Sequence, residues 1–249
     1  MTGPEVPRGD SASGGPRPFR RRLTLHRPTP TTVEAELEDH IHHVVVSLAH
    51  DDTRVLSIDG RGVRLPWSSC PGAVGALREL VGSAIGSRPV VGDMGAHCTH
   101  LLDCASSAVR FAGTDASSRR YTLSVTEAGD EDDRHGVIVT AVARSDDGRE
   151  LELRTDGTTI LEPTVHHGRS LRAGFSRWAT DELDPEDAEM AILLRRAIWM
   201  RLSIAIDLDQ LDVLSQSGVP RSSCYASQPE RIHVATRNRG TSLHELPAE

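Results

Sequence analysis

The stretch Val44-Val45-Val46-Ser47-Leu48, followed by His50-Asp51-Asp52-Thr53 and then by Val55 to Ile58, decides the fold class. Consecutive valines are β-branched and favour a strand. The polar His-Asp-Asp-Thr run is turn chemistry, and the apolar residues beyond it bring the chain back. The expected unit is an antiparallel hairpin. Asp59-Gly60-Arg61-Gly62 interrupts the returning strand, and Val63-Arg64-Leu65 resumes it towards Pro66. Upstream, Arg20 to Leu25 reads as a short edge strand and Val33 to Leu37 as a short acidic segment.

Downstream of the hairpin the period changes. From Pro71, residues Ala73, Ala76, Leu77, Leu80 and Val81 share one helical face, with Gly82 as a stop. A second helix is expected over 99–111, its apolar face holding Leu101, Leu102, Ala105, Ala108 and Val109. Residues 114–119 read as a joint. Strands then follow at 121–125, 137–143, 150–154 and 158–161, separated by the turn signals Asp146-Asp147-Gly148 and Asp156-Gly157. The acidic loop from Gly129 to Arg134 reads as a solvated hairpin tip. A long helix begins near Asp184-Pro185 and ends near Asp207. Its wide apolar band must cover a sheet or a partner subunit, which is compatible with a homodimer.

The expected class is therefore α+β, with antiparallel strands, helices on one face and two similar-sized halves. Residues 1–18, rich in Gly, Pro and Ser, read as a disordered tail. Residues 19–113 read as a hairpin-plus-helices domain, and 119–249 as a meander with a long helix and an irregular C-terminal segment. Two domains and one sheet built from both halves fit the pattern equally.

Composition excludes several chemistries. All 28 basic residues are arginine. With no lysine there is no Schiff base to pyridoxal phosphate, no P-loop lysine, and no biotinyl or lipoyl attachment. The formal charge of −8 argues against nonspecific nucleic-acid binding. The most apolar run, 188–206, is broken by Arg195, Arg196 and Arg201, so it is not read as a membrane span. No signal-peptide pattern opens the chain, and a reducing cytoplasm is the expected location for its four cysteines.

Chemistry concentrates in the first half. Asp39-His40-Ile41-His42-His43, Trp67-Ser68-Ser69-Cys70-Pro71 and His97-Cys98-Thr99-His100 all sit at expected element ends, which can converge. Thiolate, imidazole and carboxylate are zinc and iron ligands. The candidate metal set is Asp39, His42, His43, Cys70, Cys98 and His100, with His97 as another candidate donor. Cys98 and His100 lie two apart, so they share a metal only if Cys98 precedes the first helical turn. Cys104 reads as a core thiol, and His40 and His50 as solvent-facing. A second reading makes Cys70 or Cys98 a nucleophile with a histidine base oriented by Asp103, His100 being the catalytic histidine in either scheme. In the second half, Arg169 and Arg172 lie among small residues and suit a small anionic substrate, although a solvated basic loop gives the same pattern.

The run from Phe19 to Phe111 also resembles an uncharacterised family, the domain of unknown function DUF 2889. The likeness rests on Val33-Glu34-Ala35-Glu36-Leu37-Glu38-Asp39, Cys70-Pro71-Gly72-Ala73, Leu77-Arg78-Glu79-Leu80-Val81-Gly82 and Cys98-Thr99-His100-Leu101. It implies no activity. The same region resembles the IscU/NifU-type iron–sulfur scaffold in running hairpin, cysteine, helix, loop, cysteine, helix. Where that fold has its first cysteine, this chain has Asp39, His42 and His43. The resemblance implies metal or cluster binding. The reading carried forward is a metal-dependent hydrolase or lyase using zinc or iron; the alternatives are a metal or iron–sulfur carrier and a metal-free cysteine enzyme.

Overall fold

The computed structural model describes residues 17–132, 136–242 and 246. The expected disordered tail lies outside them but for residues 17 and 18; of the expected acidic loop, residues 133 and 134 lie outside, while 129–132 belong to a strand. The fold is α+β: the described residues form eight strands, three α-helices and several 3₁₀ segments. The chain divides into two compact units.

The first unit holds Leu23–Arg119 and Ile206–Glu249. Its strands are β1 (Phe19–Thr29, from Leu23 onward), β2 (Thr32–Asp39), β3 (His43–His50) and β4 (Val55–Arg64), in the order β4-β3-β2-β1. The expected hairpin is β3 and β4. β2 pairs antiparallel with β3, placing Val33 opposite Leu48 and Leu37 opposite Val44. Side chains alternate across a strand, so one face of β2 presents Val33, Ala35, Leu37 and Asp39, all buried. The matching face of β3 presents Val44, Val46 and Leu48. Covering these valines and leucines contributes about 1.5 to 3 kcal/mol each.

The cover is helix α1 (Thr99–Ala112), which packs on β2 and β3. Its Cys104 thiol donates to the Ala35 carbonyl at 3.2 Å. Cys104 is thus the core thiol that its apolar neighbourhood suggested. Arg27 holds the other end of α1: its Nη2 donates to the carbonyls of Phe111, Ala112 and Thr114 at 3.3, 3.3 and 2.7 Å. The Phe111 carbonyl also accepts from Thr114 N at 2.9 Å, and a cation at this end of the helix serves both charge and hydrogen bonding.

Two expectations change here. The segment after Pro71 is a 3₁₀ stretch, Cys70–Leu80, with Cys70, Ala73, Leu77 and Leu80 buried. Its buried spacing of three or four residues serves a three-residue turn as well as an α-turn, which is why sequence period alone does not separate them. The C-terminal segment groups with the first unit, whereas its sequence position placed it with the second half. Asn238 N donates to Pro66 O at 2.9 Å, Arg237 Nη1 to Pro66 O at 2.8 Å and Arg237 Nε to Asp209 at 2.9 Å.

The second unit contains Arg120–Ala205. β5 (Ser118–Asp132), β6 (Gly136–Ser145), β7 (Glu150–Thr155) and β8 (Ile160–Glu162) form the expected antiparallel meander. Helix α3 (Pro185–Met200) packs across β6 and β7. The Asp184 side chain caps it by accepting from Glu186 N at 3.0 Å. Its apolar band therefore covers strands of its own unit. Before it lies α2 (Phe175–Glu182), in a stretch read from sequence as an arginine loop. No helix among the described residues is long and apolar enough to cross a membrane.

Candidate metal centre

The buried face of β2 ends on a carboxylate. Asp39 keeps the phase of Val33, Ala35 and Leu37 and is fully buried. A buried charge needs partners. The turn into β3 supplies two: Asp39 Oδ1 accepts from Ile41 N at 2.9 Å and from His42 N at 2.7 Å. The Asp39 amide donates to His42 O at 2.8 Å, which closes the turn. This places the His42 ring next to the carboxylate, with Nδ1 at 3.4 Å from Oδ1.

The third residue arrives from α1. His100 lies one turn before Cys104 and so shares its sheet-facing side. Cys104 contacts Ala35, and His100 stands further along β2, over Asp39. Its Nε2 is 3.4 Å from Asp39 Oδ2. The His42 and His100 rings stack with centroids 3.5 Å apart and planes 17° from parallel. The donor atoms of Asp39, His42 and His100 all lie within 4.8 Å of one another, and all three residues are buried. His42 Nδ1 is buried without a hydrogen bond among the described residues. This cluster could hold a metal ion.

Cys98 stands behind it. It precedes the first turn of α1 in extended conformation, at φ −73° and ψ 121°, the condition under which it and His100 can converge. Its Sγ is 4.0 Å from His100 Nδ1, while Nε2 of the same ring faces Asp39. Cys98 thus lies on the far side of the imidazole from the carboxylate. Burial pushes its thiol up to about 11. Cys70, also buried, is pushed higher still, first by desolvation and then by Cys98. Both thiols are neutral at pH 7 in the metal-free protein.

The remaining candidates take other partners. His43 begins β3 and pairs outward with Glu36 at 2.5 Å and Glu38 at 3.9 Å. His97 Nε2 bonds Glu79 Oε2 at 2.8 Å. Asp103 pairs with Arg88 at 3.1 Å, so the orienting carboxylate beside His100 is Asp39. His40 and His50, expected to face solvent, are buried. His50 continues the inward phase of β3 after Val44, Val46 and Leu48, and strand alternation overrides its turn-like neighbours. Arg169 and Arg172 lie in the second unit.

One residue near the site carried no sequence signal. Cys224 is close enough to Cys70 and Cys98 to oppose ionisation of both. Its neighbour Tyr225 donates its amide to His97 O at 2.8 Å, which anchors the C-terminal segment beside Cys98. Ser222-Ser223-Cys224-Tyr225 has no periodicity from which such a contact could be read. No family model, curated protein or solved structure matches this chain.

Proposed function

We propose that the protein is a metal-dependent enzyme of hydrolase or lyase type whose zinc or iron is held by Asp39, His42 and His100. The observation that carries the reading is the spacing of the donor atoms. Ligands about 2.1 Å from a tetrahedral ion stand about 3.4 Å from one another. Asp39 Oδ1 stands 3.4 Å from His42 Nδ1 and Oδ2 stands 3.4 Å from His100 Nε2, and one donor atom from each of the three residues lies within 4.8 Å of the other two, a spacing that a small adjustment brings to a shared ion. Two imidazoles and one carboxylate form a recurring donor set for zinc and for non-haem iron.

Three protein donors leave at least one coordination position for water or substrate, which distinguishes a catalytic ion from a structural one. An ion held by these residues would supply Lewis acidity or an activated water. Asp39 contributes negative charge and, through its backbone bonds, a fixed carboxylate plane. His100 is oriented from behind by the Cys98 thiol at Nδ1.

A second reading has one specific observation in its favour. Cys98 Sγ, His100 and Asp39 lie in the sequence of a nucleophile, base and orienting acid, with distances of 4.0 and 3.4 Å. Burial works against it, because a thiol raised to about 11 is the opposite of an activated one.

The test is metal content of full-length, untagged protein grown with zinc and iron. The expected result is about one ion per chain, lost in Asp39→Asn and His42→Ala and retained in Cys98→Ser. No metal in the parent protein overturns the reading. Retention of a bound ion without an exchangeable water position supports a carrier or structural site. Rapid alkylation of Cys98 that persists after chelation supports the nucleophile.

A further inference from the structure

The second unit contains an open cavity of about 420 Å³, within the range of small-molecule sites. One wall is the loop after β8. Gly168 N donates to Ile160 O and Ile160 N to Arg169 O, both at 2.9 Å, so the loop folds back on itself. Gly168, at φ +79°, makes that return. The other wall is the start of α2, which Gly174 opens at φ +84°. Both positions favour glycine.

The cavity wall brings aromatic side chains and an arginine together. Trp178 is nearly buried and meets the Phe175 ring at 5.0 Å and the edge of His166 at 5.1 Å. The Arg169 guanidinium lies 5.0 Å from the centre of the Trp178 ring. Glu182, one turn beyond Trp178, fixes both: it accepts from Trp178 Nε1 at 2.9 Å and from Arg169 Nη2 at 3.2 and 3.4 Å. Arg169 is therefore held at one nitrogen, and its Nε and Nη1 donors take no part in those bonds. The first turn of α2 adds the positive end of a helix at the same wall.

We propose that this cavity binds a small organic anion, a flat apolar body carrying one carboxylate or phosphate. The body packs between the Val165 lip and Trp178, which Phe175 backs from the core, and the charged head lies at Arg169 and the start of α2. Val165, largely exposed, forms an apolar lip. Of the two arginines singled out in the sequence, Arg169 lines the cavity. Arg172 does not, and its carbonyl accepts from Phe175 N at 3.4 Å. This site does not depend on the metal reading.

The experiment is a titration of the full chain with benzoate, phenyl phosphate, inorganic phosphate and neutral benzamide, followed by ligand-observed NMR. Benzoate or phenyl phosphate is expected to bind at least about tenfold more tightly than benzamide and than phosphate alone. Arg169→Gln is expected to weaken that binding about tenfold, and Val165→Asp, at an exposed position, to weaken it in the same direction. Unchanged circular dichroism in both variants separates lost binding from lost folding. Equal binding of benzoate and benzamide, or an unaffected Arg169→Gln, overturns the anion assignment. Phosphate binding as tightly as phenyl phosphate overturns the role of the aromatic wall, and no binding of any probe at about 10 mM overturns the site.

Discussion

Asp39 Oδ2 and His100 Nε2 stand 3.4 Å apart, brought together from the end of β2 and the first turn of α1. The same carboxylate holds the β2–β3 turn through Oδ1. Its structural role and its proposed metal-binding role are therefore separable by substitution. Asp39→Asn keeps an oxygen for the turn and loses the charge; metal affinity is expected to fall at least about tenfold with a modest loss of stability. Asp39→Ala leaves two buried amides without an acceptor and is expected to cost about 2 to 4 kcal/mol. Metal analysis and urea unfolding on both variants check the separation. Equal effects in the two would contradict it.

The buried thiols predict a pH dependence of definite sign. Cys98 in the folded protein ionises at about 11, above its ordinary value of 9.0, because burial disfavours the thiolate. A folded-state pKa above the unfolded one gives stability that is fully present below pH 9 and lost as pH rises through 11. Cys70 and Cys104 shift in the same direction, also first through burial. The melting temperature of the metal-free protein is expected to fall from pH 9 to pH 11. Cys98→Ser, whose hydroxyl does not titrate there, is expected to show a shallower fall.

Arg27 secures the helix that carries His100. Arg27→Ala removes the cation from the last carbonyls of α1 and is expected to cost about 1 to 3 kcal/mol. Metal stoichiometry is expected to remain at the parental value, because the substitution lies at the opposite end of α1 from His100. Chemical denaturation and metal content, measured on the same sample, test both halves of this expectation.

Much of the first unit was legible because strand alternation and helical period are both strong there. The segment Val33 to Leu37, read from sequence only as short and acidic, is part of a full strand: Val33, Ala35 and Leu37 alternate with glutamates and Asp39 keeps their phase, a signal of a buried carboxylate that the acidic composition obscured. The choice between His42 and His43 was harder. Asp39 draws the His42 amide into the turn, and His43, the next residue, begins β3 and points to Glu36. That one-residue difference rests on a side chain-to-backbone bond, which periodicity does not encode. The convergence of His100 on Asp39 follows from α1 crossing β2, and the return of the C-terminal segment follows from bonds such as Asn238 to Pro66. Both are long-range contacts without a local pattern. Helix α2 escaped notice because its eight residues are too few to establish a period beside the arginine-rich loop.

X-ray absorption at the metal edge of the zinc-loaded full chain tests the central claim most directly. Two imidazole nitrogens and a carboxylate oxygen predict a first shell of nitrogen and oxygen only, at about 2.0 to 2.2 Å. The outer-shell scattering of imidazole should be lost in part in His42→Ala. A sulfur neighbour at about 2.3 Å would show that Cys98 or Cys70 binds the ion directly, and would contradict an Asp39–His42–His100 centre.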